Sequence, residues 1–113
     1  MAILLVDKIP TAQMMTELKK DFGDYIKLVA DLSKNRLYGG GKMHAEAEAI
    51  LLNEGSHQKD IWGGGVDLIS KSTDLVALIN IRPGDGNDSM EIIDPKRRKK
   101  FSALVKRFFP NND

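Results

Sequence analysis

Apolar positions along the chain change period several times, and each change marks an element. Residues 2–6, Ala-Ile-Leu-Leu-Val, are an unbroken apolar run of strand length. Past Ile9-Pro10 the spacing lengthens. Met14, Met15, Leu18 and Phe22 recur at helical intervals, with Thr11 placed to cap that helix and Gly23 to end it. Residues 25–32 then alternate: Ile26, Leu28, Ala30 and Leu32 share one face, while Tyr25, Lys27, Val29 and Asp31 share another that reads as half wet. Ser33-Lys34-Asn35 supplies a turn, and residues 36–40 return as the hairpin partner.

Helical spacing resumes in 44–55, "HAEAEAILLNEG", which Gly55 ends. Ala45, Ala49 and Leu52, widened by Ile50, form the expected buried row, and His44 and Glu48 stand one turn apart on a common face. After a loop at 56–60, residues 61–70 and 75–83 read as two strands of a second hairpin around the turn 71–74. Residues 82–89 are rich in turn formers. Asp94 caps a last helix with Pro95 at its first position, where a missing N–H costs nothing. Phe101, Leu104, Val105 and Phe108 follow i, i+3, i+4, i+7, and 110–113 read as a frayed end. The order is β-α-β-β-α-β-β-α. It predicts one α+β domain over 1–113, a largely antiparallel sheet of two hairpins plus an N-terminal strand, with three helices.

Composition removes several function classes. The 113 residues suit one core, and no apolar run approaches the length of a membrane span. The first residues lack a basic leader and read as a strand rather than a signal peptide. With no cysteine, disulfides, thiolate nucleophiles and cysteine-ligated zinc are excluded, and a cytoplasmic setting is expected. Charge is uneven. Residues 95–113 carry seven Lys or Arg and one acid, while the rest carries ten bases and fifteen acids. The basic run Lys96, Arg97, Arg98, Lys99, Lys100 opposes the dipole of the helix it opens, so helix stability does not explain it. It reads first as a solvated or self-paired face and second as a nucleic-acid candidate.

The stretch "YGGGKMHAEAEAI" invites two further readings. His-x-Glu opening a helix is how zinc nucleotide deaminases present a metal ligand and a general acid/base, but their Pro-Cys-x-x-Cys segment is absent here. Glycines before a helix suggest a phosphate cradle, but the Gly-Lys-Ser/Thr spacing is missing, and Glu46 and Glu48 in the first turn repel phosphate. A divalent metal held by His44, Glu48 and His57, near Asp60, competes with ordinary helix-surface pairing, and no metal or other cofactor is expected. In "ALINIRPGDGND", Asn80 and Arg82 share one face of the expected strand. Arg82 there needs either an acid (Glu46, Glu48 or Asp31) or an anionic ligand. Asn87, Asp88 and Ser89 follow in the loop, to complete a pocket or to make turns.

The runs "FGD", "GGGKMHAEAEAILLNEGSHQKDIWG" and "INIRPGDGN", with "DP" near the end, resemble an uncharacterised bacterial family, domain of unknown function family 5674. The resemblance covers nearly the whole chain through Gly40, Gly41, His44, Ala45, Glu48, Leu51, Leu52, Gly55, Ser56, Gln58, Trp62, Gly63, residues 79–83, Gly86 and Asn87. It implies no activity, only that these polar residues belong to one pattern. The sequence thus leads to a small bacterial binding or interaction protein, a homodimer, with a polar pocket around His44, Glu48 and Arg82. Asn80, Arg82, Asn87 and Ser89 are the expected contacts to a small anionic ligand. The rivals are a hydrolase-like enzyme, with His44 or Glu48 as general base and Arg82 holding an anionic substrate, and a nucleic-acid binder using the basic helix. No membrane partner is expected.

Overall fold

A computed structural model describes residues 3–112. The elements are β1 (Ile3–Val6), α1 (Ala12–Leu18), β2 (Tyr25–Asp31), β3 (Arg36–Gly40), α2 (His44–Asn53), β4 (Ile61–Asp67), β5 (Ser72–Asp74) and α3 (Pro95–Phe108), with single 3-10 turns at Gln58–Asp60, Leu78–Asn80 and Pro83–Asp85. The order β-α-β-β-α-β-β-α is the expected one. Ala2, placed in the first strand by its sequence, and Asp113 lie outside the described residues.

All strand pairings are antiparallel, and the strands lie side by side as β1-β3-β2-β4-β5. Alternation along the central strand β2 sorts the two faces. Ile26, Leu28 and Ala30 join Leu18 of α1 and Phe101, Leu104, Val105 and Phe108 of α3 in one core. Val29 joins Ala47 and Leu51 of α2, with Tyr38 and Ile61, in a second. One sheet therefore separates two cores, and the α3 stripe fills the first as its spacing predicts. On the face read as half wet, Tyr25 and Lys27 are half-buried, but the reading is corrected at Val29 and Asp31: both are buried, Val29 against α2, and Asp31 fully. That carboxylate is matched by hydrogen bonds from Ser56 Oγ (2.6 Å) and from the N–H groups of Ser33 (2.9 Å) and Lys34 (3.0 Å).

Local chemistry at the starts of α1 and α3 is as expected. Thr11 Oγ1 accepts from Met14 N at 3.2 Å, and Asp94 Oδ2 from Arg97 N at 2.9 Å. Glu46 Oε1 accepts from the N–H groups of Lys42 (3.2 Å) and Met43 (3.0 Å), closing the start of α2. Four expectations are corrected. α1 stops at Leu18, so Phe22 lies beyond it on the surface, under the Lys27 ammonium at 4.8 Å. The inward row of α2 is not Ala45, Ala49 and Leu52, which are exposed; the buried residues are Ala47 and Leu51. The second hairpin returns through 72–74 rather than 75–83, because Asp67 Oδ1 draws Ile69 N and Ser70 N into a tight turn and Lys71 adopts a positive φ of 59°. The end expected to fray is tied: Asn112 is buried, and its Nδ2 donates to Asp67 O at 3.1 Å.

Past β5 the chain abandons the ladder, leaving the outer edge of β4 open at Gly63. Asn80 closes it. Its Oδ1 accepts from Gly63 N at 2.9 Å, and its Nδ2 is shared among Gly63 O (2.9 Å), Met90 O (2.9 Å) and Leu75 O (3.2 Å). A side-chain amide here stands in for a strand's backbone, satisfying groups that would otherwise be buried unpaired.

Candidate functional site

The three-glycine run of β4 sets the geometry around His44. A Cβ on Gly63 would lie 3.1 Å from His44 Cδ2 and 2.8 Å from Ala77 Cβ, so only glycine lets the imidazole and the 75–80 segment settle on the strand. His44 Nε2 lies 2.7 Å from Gly64 O. A carbonyl only accepts, so Nε2 carries the proton and Nδ1 is the basic nitrogen of the neutral ring. Burial holds the His44 pKa below its ordinary value, and the nearby Lys27 charge adds to that. The bond to Gly64 and the charge of Asp74 oppose it.

Beside this ring lies a groove of about 350 Å³ lined by Lys27, Met43, His44, Ala45, residues 76–79 and Met90. Its walls are apolar except for His44 and Lys27. Lys27 Nζ donates to Lys42 O at 2.5 Å, leaving the ammonium two further donors. Neither Glu48 nor Arg82 lines it.

The residues expected to form one polar pocket are distributed differently. Arg82 sits in the irregular edge segment, not on a strand. It donates to Gln58 O and Ile61 O, and its guanidinium carbon is 3.8 Å from the centre of the Trp62 ring. Burial lowers the Arg82 pKa, against the raising charges of Asp85 and Glu48. No bridge within 4 Å to Glu46, Glu48 or Asp31 forms among the described residues; Asp85 is the carboxylate in reach, 3.9 Å from Nε. Glu48 Oε2 and Arg82 Nε are both buried without a hydrogen-bond partner, two opposite charges that sense each other without touching. Asn87 is fully buried. Its Nδ2 serves Asn80 O (2.8 Å), Ser89 O (2.9 Å) and Glu91 O (2.9 Å), and its Oδ1 accepts from Ile93 N at 2.8 Å. Ser89 Oγ accepts from Glu91 N at 3.0 Å. Asn80, Asn87 and Ser89 therefore organise the edge segment. His57 is exposed at the start of the 58–60 turn, and among the described residues no three His, Asp or Glu side chains gather to hold a metal.

The basic run divides as well. Arg98 pairs with Glu91 at 3.0 Å and donates to Ile92 O at 2.8 Å. Arg97 donates to Asp85 O at 3.2 Å and lies 4.4 Å from the Trp62 ring centre. Lys96, Lys99 and Lys100 have no ion-pair partner within 4 Å among the described residues. Two positions escaped the sequence reading. Lys27 looked like an ordinary wet-face lysine. Trp62, the sole tryptophan, carried a signal in its place beside a glycine run, but nothing in its neighbours foretold two guanidiniums on its ring.

A family model matches residues 3–108 of the chain. The chain belongs to DUF5674, a family of proteins of unknown function. No curated protein and no solved structure matches it. Family membership spans both the His44 groove and the Trp62 region of this DUF5674 chain but assigns a role to neither. No helix among its described residues is long and apolar enough to cross a membrane.

Proposed function

We propose that this protein binds a small apolar carboxylate in the groove beside His44. The observation that carries the reading is the lining: apolar walls around about 350 Å³, with Lys27 and His44 as the polar side chains. Ligand sites of this size are commonly apolar with a few polar groups that fix orientation. The Lys27 ammonium supplies a counter-charge for a carboxylate, and the apolar walls take the hydrocarbon. The enzymatic reading has less support. General acid–base work needs partners within hydrogen-bond reach, and the second base and the arginine proposed with His44 lie outside this groove.

Octanoate and octanol serve as probes. In a heteronuclear NMR titration, octanoate should shift Met43, His44, Ala77 and Leu78 in a saturable way, and octanol should bind about fivefold or more weakly because it lacks the charge. Leu78 is 68% exposed, so Leu78→Glu should leave the fold intact while weakening octanoate binding by at least about tenfold through repulsion and loss of an apolar wall. Equal binding by the variant, or shifts elsewhere, would defeat the reading.

A second reading has its own observation. Val76, Leu78, Ile81, Met90 and Ile93 are all exposed along the one edge segment that borders the groove. Such a patch suits a second copy of the chain. Native mass spectrometry of the purified protein separates the two, reporting either a dimer or a monomer of 12.6 kDa carrying a small adduct.

A further inference from the structure

The basic residues that helix stability does not explain meet a second element across a cleft. The first turn of α3 carries Lys96, Arg97 and Arg98 and no acid, against the positive end of its own dipole. Arg98 is neutralised by Glu91. Lys96, Arg97 and Lys100 instead face a cleft of about 450 Å³ whose far side brings Lys59 from the 58–60 turn. Lys96 and Lys100, one helical turn apart, have no ion-pair partner within 4 Å among the described residues. The carboxylates on the lining are Asp60 and Asp85, and Asp85 already faces Arg82 at 3.9 Å. The walls are also fixed in advance. Trp62 Nε1 donates to Lys59 O at 2.9 Å, which holds the 58–60 turn against the sheet, and Arg97 is held by Asp85 O and the Trp62 ring. Four cations against two carboxylates leave this concave lining with an excess of positive charge, which attracts an anion.

We infer that this cleft is a phosphate site, taking the closely spaced phosphates either of a soluble polyphosphate or of a nucleic-acid strand. Lysines serve such a ligand as mobile point charges, and Arg97 as a planar donor already positioned. The site shares no lining residue with the His44 groove, so neither proposal depends on the other.

Trp62 is the sole tryptophan and lies buried at the wall of the cleft with the Arg97 guanidinium on its ring, so its fluorescence reports occupancy through Arg97. The protein is titrated with tripolyphosphate and, separately, with a fifteen-nucleotide oligothymidylate at low salt, alongside Lys96→Ala/Lys100→Ala and Lys99→Ala. Lys99 is exposed on the same helix but does not line the cleft. A saturable change with tripolyphosphate is expected, weakened at least about tenfold in the double variant, unchanged in Lys99→Ala, and fading as salt rises. Circular dichroism confirms that each variant is folded. Oligothymidylate binding lost in the double variant assigns the phosphates to a nucleic-acid strand; tripolyphosphate binding without it assigns them to a soluble ligand. Absence of both responses, or binding that the double variant retains, overturns the inference.

Discussion

Asn80 and His44 are polar residues held against the same glycine strand, and their removal would be felt in different ways. Without the Asn80 amide, Gly63 N–H and its carbonyl, together with the carbonyls of Leu75 and Met90, lose their partners in a buried setting. Asn80→Ala should therefore lower unfolding free energy by about 2–4 kcal/mol, read from the urea midpoint at unchanged slope. Asn80→Asp keeps the acceptor for Gly63 but presents a charge to three carbonyls, and should be no better. His44 acts through pH. Its folded-state pKa is depressed below the ordinary 6.5, so below that pH the unfolded chain takes up the proton more readily than the folded one. Stability from this residue is then full above about pH 6.5 to 7. It declines as pH falls and levels off once the folded imidazole is itself protonated. Urea midpoints from pH 5 to 8 should show this slope in the native protein and lose it in His44→Gln. A slope surviving in the variant would place its origin elsewhere.

At the scale of elements, β4 is built to be approached from both sides. A Cβ on Gly64 would come within 2.3 Å of the Asp74 carbonyl oxygen and 2.8 Å of Phe101 on α3, just as one on Gly63 would press on His44 and Ala77. Gly64→Ala should cost about 2–3 kcal/mol through overpacking, whereas Gly84→Ala, with nothing within 4 Å and no positive φ, should be neutral or stabilising by about 0.5 kcal/mol. Thermal melts of the two variants make the comparison. The same elements show what was legible in the sequence. α3 could be read in full, from the Asp94 cap to the Phe108 stripe, because its buried residues are all apolar and its cap is local. α2 could be placed but not oriented. Its inward stripe runs through His44, Ala47, Glu48 and Leu51, and two polar residues there disguise it, while the alanine row that looked buried faces outward. The 75–83 run has a strand's composition yet forms none, because pairing with β4 is taken over by an amide from within the run itself. That substitution depends on a tertiary contact, Asn80 to Gly63, that no local pattern carries. The setting of Arg82 is likewise tertiary: its guanidinium lies on Trp62 and donates to the carbonyls of Gln58 and Ile61, contacts that no local pattern announces.

The whole molecule depends on one sheet serving two cores. Leu51 belongs to the α2 core and Trp62 to the α3 core, yet β2 and β4 contribute side chains to both. Neither core could persist without the strands that the other stabilises, so the two should melt together. Leu51→Ala tests this. Leu51 is fully buried, so the truncation should cost about 2–5 kcal/mol, a large part of the roughly 5–15 kcal/mol that holds a small domain together. Trp62 fluorescence reports the opposite face of the sheet. If the sheet couples the faces, its midpoint should fall by the same amount as the far-UV circular dichroism midpoint in this variant, the two curves superimposing. An early loss of helical signal, with Trp62 still buried, would instead show α2 leaving as a separate unit. The groove beside His44, whose wall is the first turn of α2, would then open before the phosphate cleft, whose floor lies on the α3 side.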